Sequence, residues 1–214
     1  MTSPATQRFL NLPEEKRERI ERAAIAEFAT KGYEQANTND IAADADISVG
    51  ALFAYFATKQ DLFVHINGRC TALIEGSVGE VLDDERPVLD VIRSIVELIA
   101  ESSKSERESV QLYQLMTGPG DREESRKVAL NFESFTSAAY IQLMKRGQDS
   151  GELRKDLPAE MLAFHLDNIF IMLQYTLATE FFEQRRAMYV GEAVPDEQAL
   201  LTHTMRLIES AIAA

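Results

Sequence analysis

A single cysteine, Cys70, among 214 residues excludes an intramolecular disulfide framework. No apolar run reaches the roughly 20 residues that a membrane-spanning helix needs. The longest such stretch, around Phe164 to Leu177, is interrupted by His165, Asp167, Asn168 and Gln174. The N-terminus lacks the charged start, apolar stretch and small-residue cleavage site of a secretory signal. A soluble, cytoplasmic protein with no membrane partner is therefore expected. Strand signals are scarce too, with no sustained period-two alternation and no Asn-Gly or Asp-Gly hairpin. Excess positive charge is also missing. The net charge is -13, and residues 1–70 hold 8 Lys/Arg against 10 Asp/Glu, or -2, which leaves -11 for the remainder. Phosphate neutralisation supplies much of the affinity for nucleic acid, so charge alone points away from it.

What recurs from end to end is helical spacing, which predicts an all-α fold of about nine helices. A first helix is expected from Pro13 to Lys31, with Ile20, Ala24 and Phe28 on one face and Gly32 as its stop. Two short helices, Thr38 to Asp44 and Val49 to Phe56, precede a longer one from Thr58 to Asp83, where Thr58 and Asp61 form a capping signature. Further helices are expected from Pro87 to Ser102, Glu106 to Thr117, Arg122 to Arg146, Ala159 to Tyr189 and Asp196 to Ala213. Breaks fall at Gly118-Pro119-Gly120-Asp121 and at Gly147 to Pro158.

The segment Asn37 to Phe56 carries the most information. Asn37 and Ser48 can each cap a short helix, and Ala45-Asp46-Ile47 makes the tight turn between the two. Leu52 and Phe56, four apart, can face a core, which leaves Gly50, Ala51, Phe53 and Ala54 toward solvent. A helix of small exposed residues is what a major groove about 12 Å wide admits. The same spacing also fits a plain structural hairpin with Tyr55 and Phe56 in its core.

The ordered run Ala23-Ala24, Phe28, Lys31-Gly32-Tyr33, Asp40-Ile41-Ala42, Ile47-Ser48, Gly50, Leu52-Phe53, Tyr55-Phe56, Lys59 and Leu62-Phe63 decides between them. Across residues 16–64 it resembles the DNA-binding domain of the tetracycline-repressor-like (TetR/AcrR) family. The resemblance implies a homodimer whose recognition helices enter successive major grooves of a palindromic operator, and a C-terminal region that holds a small-molecule effector. It implies phosphate contacts at Thr38, Tyr55 and Lys59, and groove-facing residues Asn39, Val49, Gly50, Ala51, Phe53 and Ala54, with the capping Ser48 also in the DNA-binding set. Three departures weaken the expected anchoring: Asp46 stands where a turn glycine is usual, Phe53 where a tyrosine is more usual, and Ala54 and Ala57 where basic groups are common. With no arginine to pair with guanine, readout would lean on thymine methyls and DNA shape. The expected division is 1–60 for DNA binding and 61–214 for effector binding and dimerisation.

On a helical wheel from Leu162, the residues Leu162, Leu166, Ile169, Leu173 and Leu177 fall on one side, with Phe164, Ile171, Tyr175, Ala178 and Phe182 opposite. A helix apolar on two faces is sandwiched between two layers. The first face, with Leu201, Met205, Ile208 and Ile212 of the last helix, is the expected dimer interface. An apolar pocket with a few polar groups is expected from Tyr113, Met116, Phe132, Phe135, Tyr140, Met144, Phe164, His165, Asp167, Asn168, Met172 and Tyr175, with Gln114 and Glu133 nearby. Aromatics, methionines and carboxylates together suit a lipophilic compound and would accommodate a cationic one.

An enzyme on a helical bundle, such as a carboxylate-bridged metal oxidase, would need paired Glu-x-x-His motifs, and there are none. His65, His165 and His203 lie far apart along the chain. No catalytic residue, cofactor or metal is expected. The rival to a transcriptional repressor is a ligand-binding helical dimer with weak or lost DNA binding.

Overall fold

The computed structural model describes residues 4–82, 85–117, 123–193 and 196–214, without the side chains of 73, 74, 77, 82, 115–117, 123–125 and 192. Within them the chain is helical, and the one strand-like feature is a single bridge between Leu153 and Ala213. Eleven α-helices and a 3-10 turn are seen where about nine helices were expected. The break expected at Gly118 to Asp121 lies outside the described residues. The chain divides into two compact units, Met1–Leu73 with Glu108–Asn131, and Ile74–Arg107 with Phe132–Ala214.

In the first unit, α1 (Gln7–Leu10) is a short helix that the periodicity did not reveal. The next helix, α2 (Glu14–Gln35), starts behind Pro13 with Glu14 and Glu15 in its first turn, where carboxylates complement the exposed N–H groups. Gly32 takes φ 69°, so the regular helix breaks at the glycine stop and the chain winds one further turn. Two short helices follow, α3 (Thr38–Asp44) and α4 (Val49–Tyr55), and then α5 (Lys59–Leu82). Phe28, Ile41, Leu52, Phe56, Leu62 and Phe63 fill the core between them. The Phe28 and Phe63 rings meet edge to face at 4.9 Å, a favoured aromatic geometry. From α7 (Arg107–Thr117), Leu112 joins this core.

The second unit is organised on α6 (Val88–Ser105), whose Val88, Val91, Ile92, Ile95, Val96 and Ile99 are all buried at helical spacing. It packs against α9 (Ala159–Ala178) and α11 (Glu197–Ile212). Glu152 accepts a 2.7 Å hydrogen bond from the Val88 amide, which satisfies one of the open N–H groups at the start of α6.

The helix α8 (Glu123–Ser150) continues through Gly147, where a turn was expected. Leu153 folds back so closely that a Cβ on Gly147 would lie 2.5 Å from its side chain, so the glycine serves packing here. Gly151, at φ 82°, makes the turn instead. The single helix expected from Ala159 to Tyr189 is two, because Thr179 is extended between α9 and α10 (Glu180–Val190). Arg107 donates to the carbonyl of Ala178 at 2.9 Å, taking up an acceptor that a continuous helix would have used.

The expected dimer face is this unit's own core. Leu162, Leu166, Leu173, Met205, Ile208 and Ile212 are buried there, and Ile169, Leu177 and Leu201 pack against it. Both faces of α9 are apolar, so the wheel did not determine which turns inward. The structure leaves the opposite face outward, with Met161, Phe164 and Met172 exposed on α9 and Leu207 on α11.

Candidate nucleic-acid interface

The hairpin of α3 and α4 is held by local hydrogen bonds that its sequence encodes. Asn37 Oδ1 accepts from the Asn39 amide at 2.9 Å, and Ser48 Oγ accepts from the Ala51 amide at 3.1 Å, so both short helices have side-chain caps. At the other end of α4, the Thr58 hydroxyl and amide donate to Asp61 Oδ2 while Thr58 Oγ1 accepts from the Asp61 amide, a reciprocal box that opens α5. Asp46 turns the chain between α3 and α4 at φ 52°, the one left-handed non-glycine residue among those described. Its neighbour Ala45 is buried, with its carbonyl taken by Arg19 Nε at 2.8 Å.

Leu52 and Phe56 are buried as the spacing predicts, and Phe53 is 44% exposed. Asn39, Ser48 and Gly50 are exposed, while Thr38, Val49, Ala51 and Ala54 are half-buried. An outward surface of small and apolar side chains therefore runs along α4. Two of the residues implied as phosphate contacts are placed otherwise. Tyr55 is 4% exposed and packs in the core of the unit. Lys59 turns back onto α2, where Nζ donates to the carbonyls of Ala36 at 2.6 Å and Glu34 at 3.2 Å and lies 4.8 Å from the centre of the Tyr33 ring. Lys31 is occupied as well, between Glu27 at 2.9 Å and Asp40 at 3.0 Å.

Sequence reasoning missed the segment in front of α2. Phe9 is buried to 1%, its ring 4.7 Å from that of Phe56. Thr6 donates its amide to the carbonyl of Tyr55 at 2.9 Å and its hydroxyl to that of Ala54 at 3.1 Å. Four helical residues are too few for a period to be read. The available signal was an isolated Phe9-Leu10 pair ahead of Pro13.

The expected pocket residues scatter. Tyr113, Gln114 and Met116 belong to the first unit and the others to the second, and the Met116 side chain lies outside the described set. Phe164 is 60% exposed on the outer face of α9, with His165, Asn168 and Met172 beside it, so these four do not line a cavity of their own unit. Met144 is fully buried core, Phe135 is exposed and Tyr175 half-buried. What the second unit does bring together is Tyr140 of α8 with Phe170 and Asp167 of α9. Tyr140 and Phe170 meet edge to face at 5.6 Å. Burial, and then the charge of Glu133, push the Asp167 carboxyl up to about 6. Burial raises the Tyr140 phenol above its ordinary range, with Asp167 and Glu133 adding to the effect. Phe132 is also buried. His65 is packed, 2.8 Å from Glu21, and His165 and His203 are exposed.

Two capped short helices about a tight turn, with the second showing an outward face, define a helix-turn-helix regulator that also carries a separate helical unit. Residues 20–66 match the family described as bacterial regulatory proteins, tetR family. It is similar to the transcriptional repressor AcnR of Corynebacterium efficiens, 27% identical over 170 residues that cover 78% of this chain and 84% of that one. In fold it is similar to a TetR family regulator from Chloroflexus aurantiacus, with TM-score 0.67 and 22% identity over 98% of this chain and 99% of the other. It is likewise similar to the regulator FadR of Bacillus subtilis in complex with stearoyl-CoA, with TM-score 0.67 and 16% identity over 90% and 97%.

Proposed function

We propose that the protein is a cytoplasmic, homodimeric repressor that a small lipophilic effector releases from a palindromic operator. Residues 1–60 bind DNA, and 61–214 bind the effector and dimerise. The single observation that carries the reading is the outward face of α4, exposed at Gly50 and Phe53 and capped at Ser48. Asn39, Val49, Gly50, Ala51, Phe53 and Ala54 face the groove, and Thr38 contacts phosphate.

Dimerisation uses the exposed apolar face of α9 and α11, around Phe164, Met172 and Leu207, in place of the buried face first expected. A dimer binds tightly when its recognition helices lie one turn of DNA apart, about 34–36 Å. An effector that prefers a wider spacing shifts the population off DNA by no more than its differential affinity. In support of a lipophilic effector stand the apolar setting of Asp167, Tyr140, Phe132 and Phe170 and the acyl-CoA held by the FadR neighbour. Asp167 is the polar handle that would orient the compound.

The net charge of the first 70 residues and the engaged Lys59 favour a second reading, a ligand-binding dimer with weak DNA binding. Titrating a labelled duplex taken from upstream of the protein's own coding sequence, over a range of salt, separates the two. A repressor binds this duplex more tightly than mixed-sequence DNA, with a steep salt dependence. Equal, weak binding to both duplexes would leave only the second reading.

A further inference from the structure

Resting on the DNA-binding reading above, we propose that Arg8, on the helix in front of the family-matched segment, is a contact to the DNA backbone that compensates for the cations missing from the helix-turn-helix. Residues 1–70 contain eight lysines and arginines. Five are engaged within the unit. Arg17 donates to the Leu10 carbonyl, Arg19 to that of Ala45, and Lys59 to those of Glu34 and Ala36, while Lys31 and Arg69 pair with carboxylates. Among the described residues, the side chains of Arg8, Lys16 and Arg22 make no hydrogen bond or ion pair. Lys16 and Arg22 lie on α2, whereas Arg8 is held at α4.

The hold is specific. The Thr6 amide and hydroxyl take the carbonyls of Tyr55 and Ala54, so the N-terminal segment is fastened to the C-terminal end of the recognition helix. Phe9 anchors it in the core, 6.0 Å from the Tyr55 ring. That packing covers Tyr55, and the exposed Arg8 guanidinium lies over the same ring, 5.9 Å from its centre. The segment thus buries the phenol that the family resemblance assigns to phosphate and sets a cation against it. A planar guanidinium stacked on an aromatic ring keeps its outer N–H groups for a phosphate oxygen. The family match begins at residue 20, so no part of that match reports this group.

The test uses the full chain, the variants Arg8→Gln and Arg8→Lys, and fluorescently labelled mixed-sequence duplex DNA. Each phosphate contact adds about 0.9 to the slope of log affinity against log salt. Arg8→Gln is expected to flatten that slope by about 0.9 per protomer and to weaken binding alike on every sequence, and Arg8→Lys to restore it. Because the side chain is exposed, both variants should melt with the parent. An unchanged slope in Arg8→Gln overturns the proposal and leaves the DNA-binding reading standing. Failure of Arg8→Lys to rescue also overturns it, since charge would not then be the cause. If the parent chain shows no salt-dependent duplex binding at all, both fall.

Discussion

Asp46 holds φ 52° in the turn between α3 and α4, a conformation that costs most L-residues about 1–2 kcal/mol and aspartate somewhat less. It is also an exposed carboxylate beside the face proposed to meet phosphates. Asp46→Gly relieves the strain but adds freedom to the unfolded chain, so the net gain in stability should be small, roughly 0.5 kcal/mol. The electrostatic effect is larger in consequence. Removing one anion near phosphate should raise duplex affinity at low salt by roughly two- to fivefold, and the gain should vanish at high salt. Paired thermal melts and salt titrations would check both halves. Asp167 is the second residue whose environment predicts a measurement. Its native carboxyl titrates near 6 against 3.8 in a free chain, so the folded state binds the proton more tightly. Stability should therefore fall as pH rises from about 4 to about 6 and level off above. Asp167→Asn should remove that slope and, because the group keeps some solvent, gain roughly 1–2 kcal/mol at pH 7. Denaturant titrations across pH 4 to 8 would show it, and an unchanged slope would exclude Asp167 as the cause.

At the scale of the element, caps and glycines were the legible part. Asn37, Ser48 and Thr58 with Asp61 each close the hydrogen bond that their type and position predict. The bounds of α3 follow the prediction, and those of α4 differ by a single residue at the C-terminal end. What misled was a glycine or an apolar run whose meaning depends on a distant partner. Gly147 reads as a turn until Leu153 is seen occupying the space of its Cβ. The run from Ala159 onward reads as one helix until Arg107, far back in the chain, is seen holding the Ala178 carbonyl. Lys59 reads as a free cation until the ends of α2 and α5 are placed together. Local chemistry is encoded locally, while engagement and burial depend on contacts between elements. The Ser48 cap is local, so its loss can be predicted. Ser48→Ala should cost about 1 kcal/mol by leaving the first turn of α4 without its side-chain acceptor. It should lower duplex affinity by more than that stability change alone implies, because α4 is then less often in the form that fits the groove. Hydrogen exchange at the Ala51 amide, compared with binding, would resolve the two.

For the whole molecule, the question is which apolar surface is free. The last two long helices carry more apolar residues than one unit can bury. The structure uses Leu162, Leu166, Leu173, Met205 and Ile208 inside and leaves Phe164 60% and Leu207 62% exposed. Exposed side chains of this size, on two helices that both pack against α6, are what an association surface would offer and are not required by the fold. Phe164→Glu places a charge there and removes nothing from the core, so the variant should fold with the parent's helix content and melting behaviour at low concentration. It should nevertheless sediment as a monomer, whereas the parent is expected to sediment as a dimer. Operator affinity should then fall by at least about a hundredfold, because a second recognition helix on the same duplex acts at high effective concentration only while the two chains stay joined. Salt dependence separates this from direct damage to the DNA surface: the monomer should lose about half the slope, as half the phosphate contacts are gone. A Phe164→Glu chain that remains dimeric with full affinity would move the interface elsewhere on the molecule.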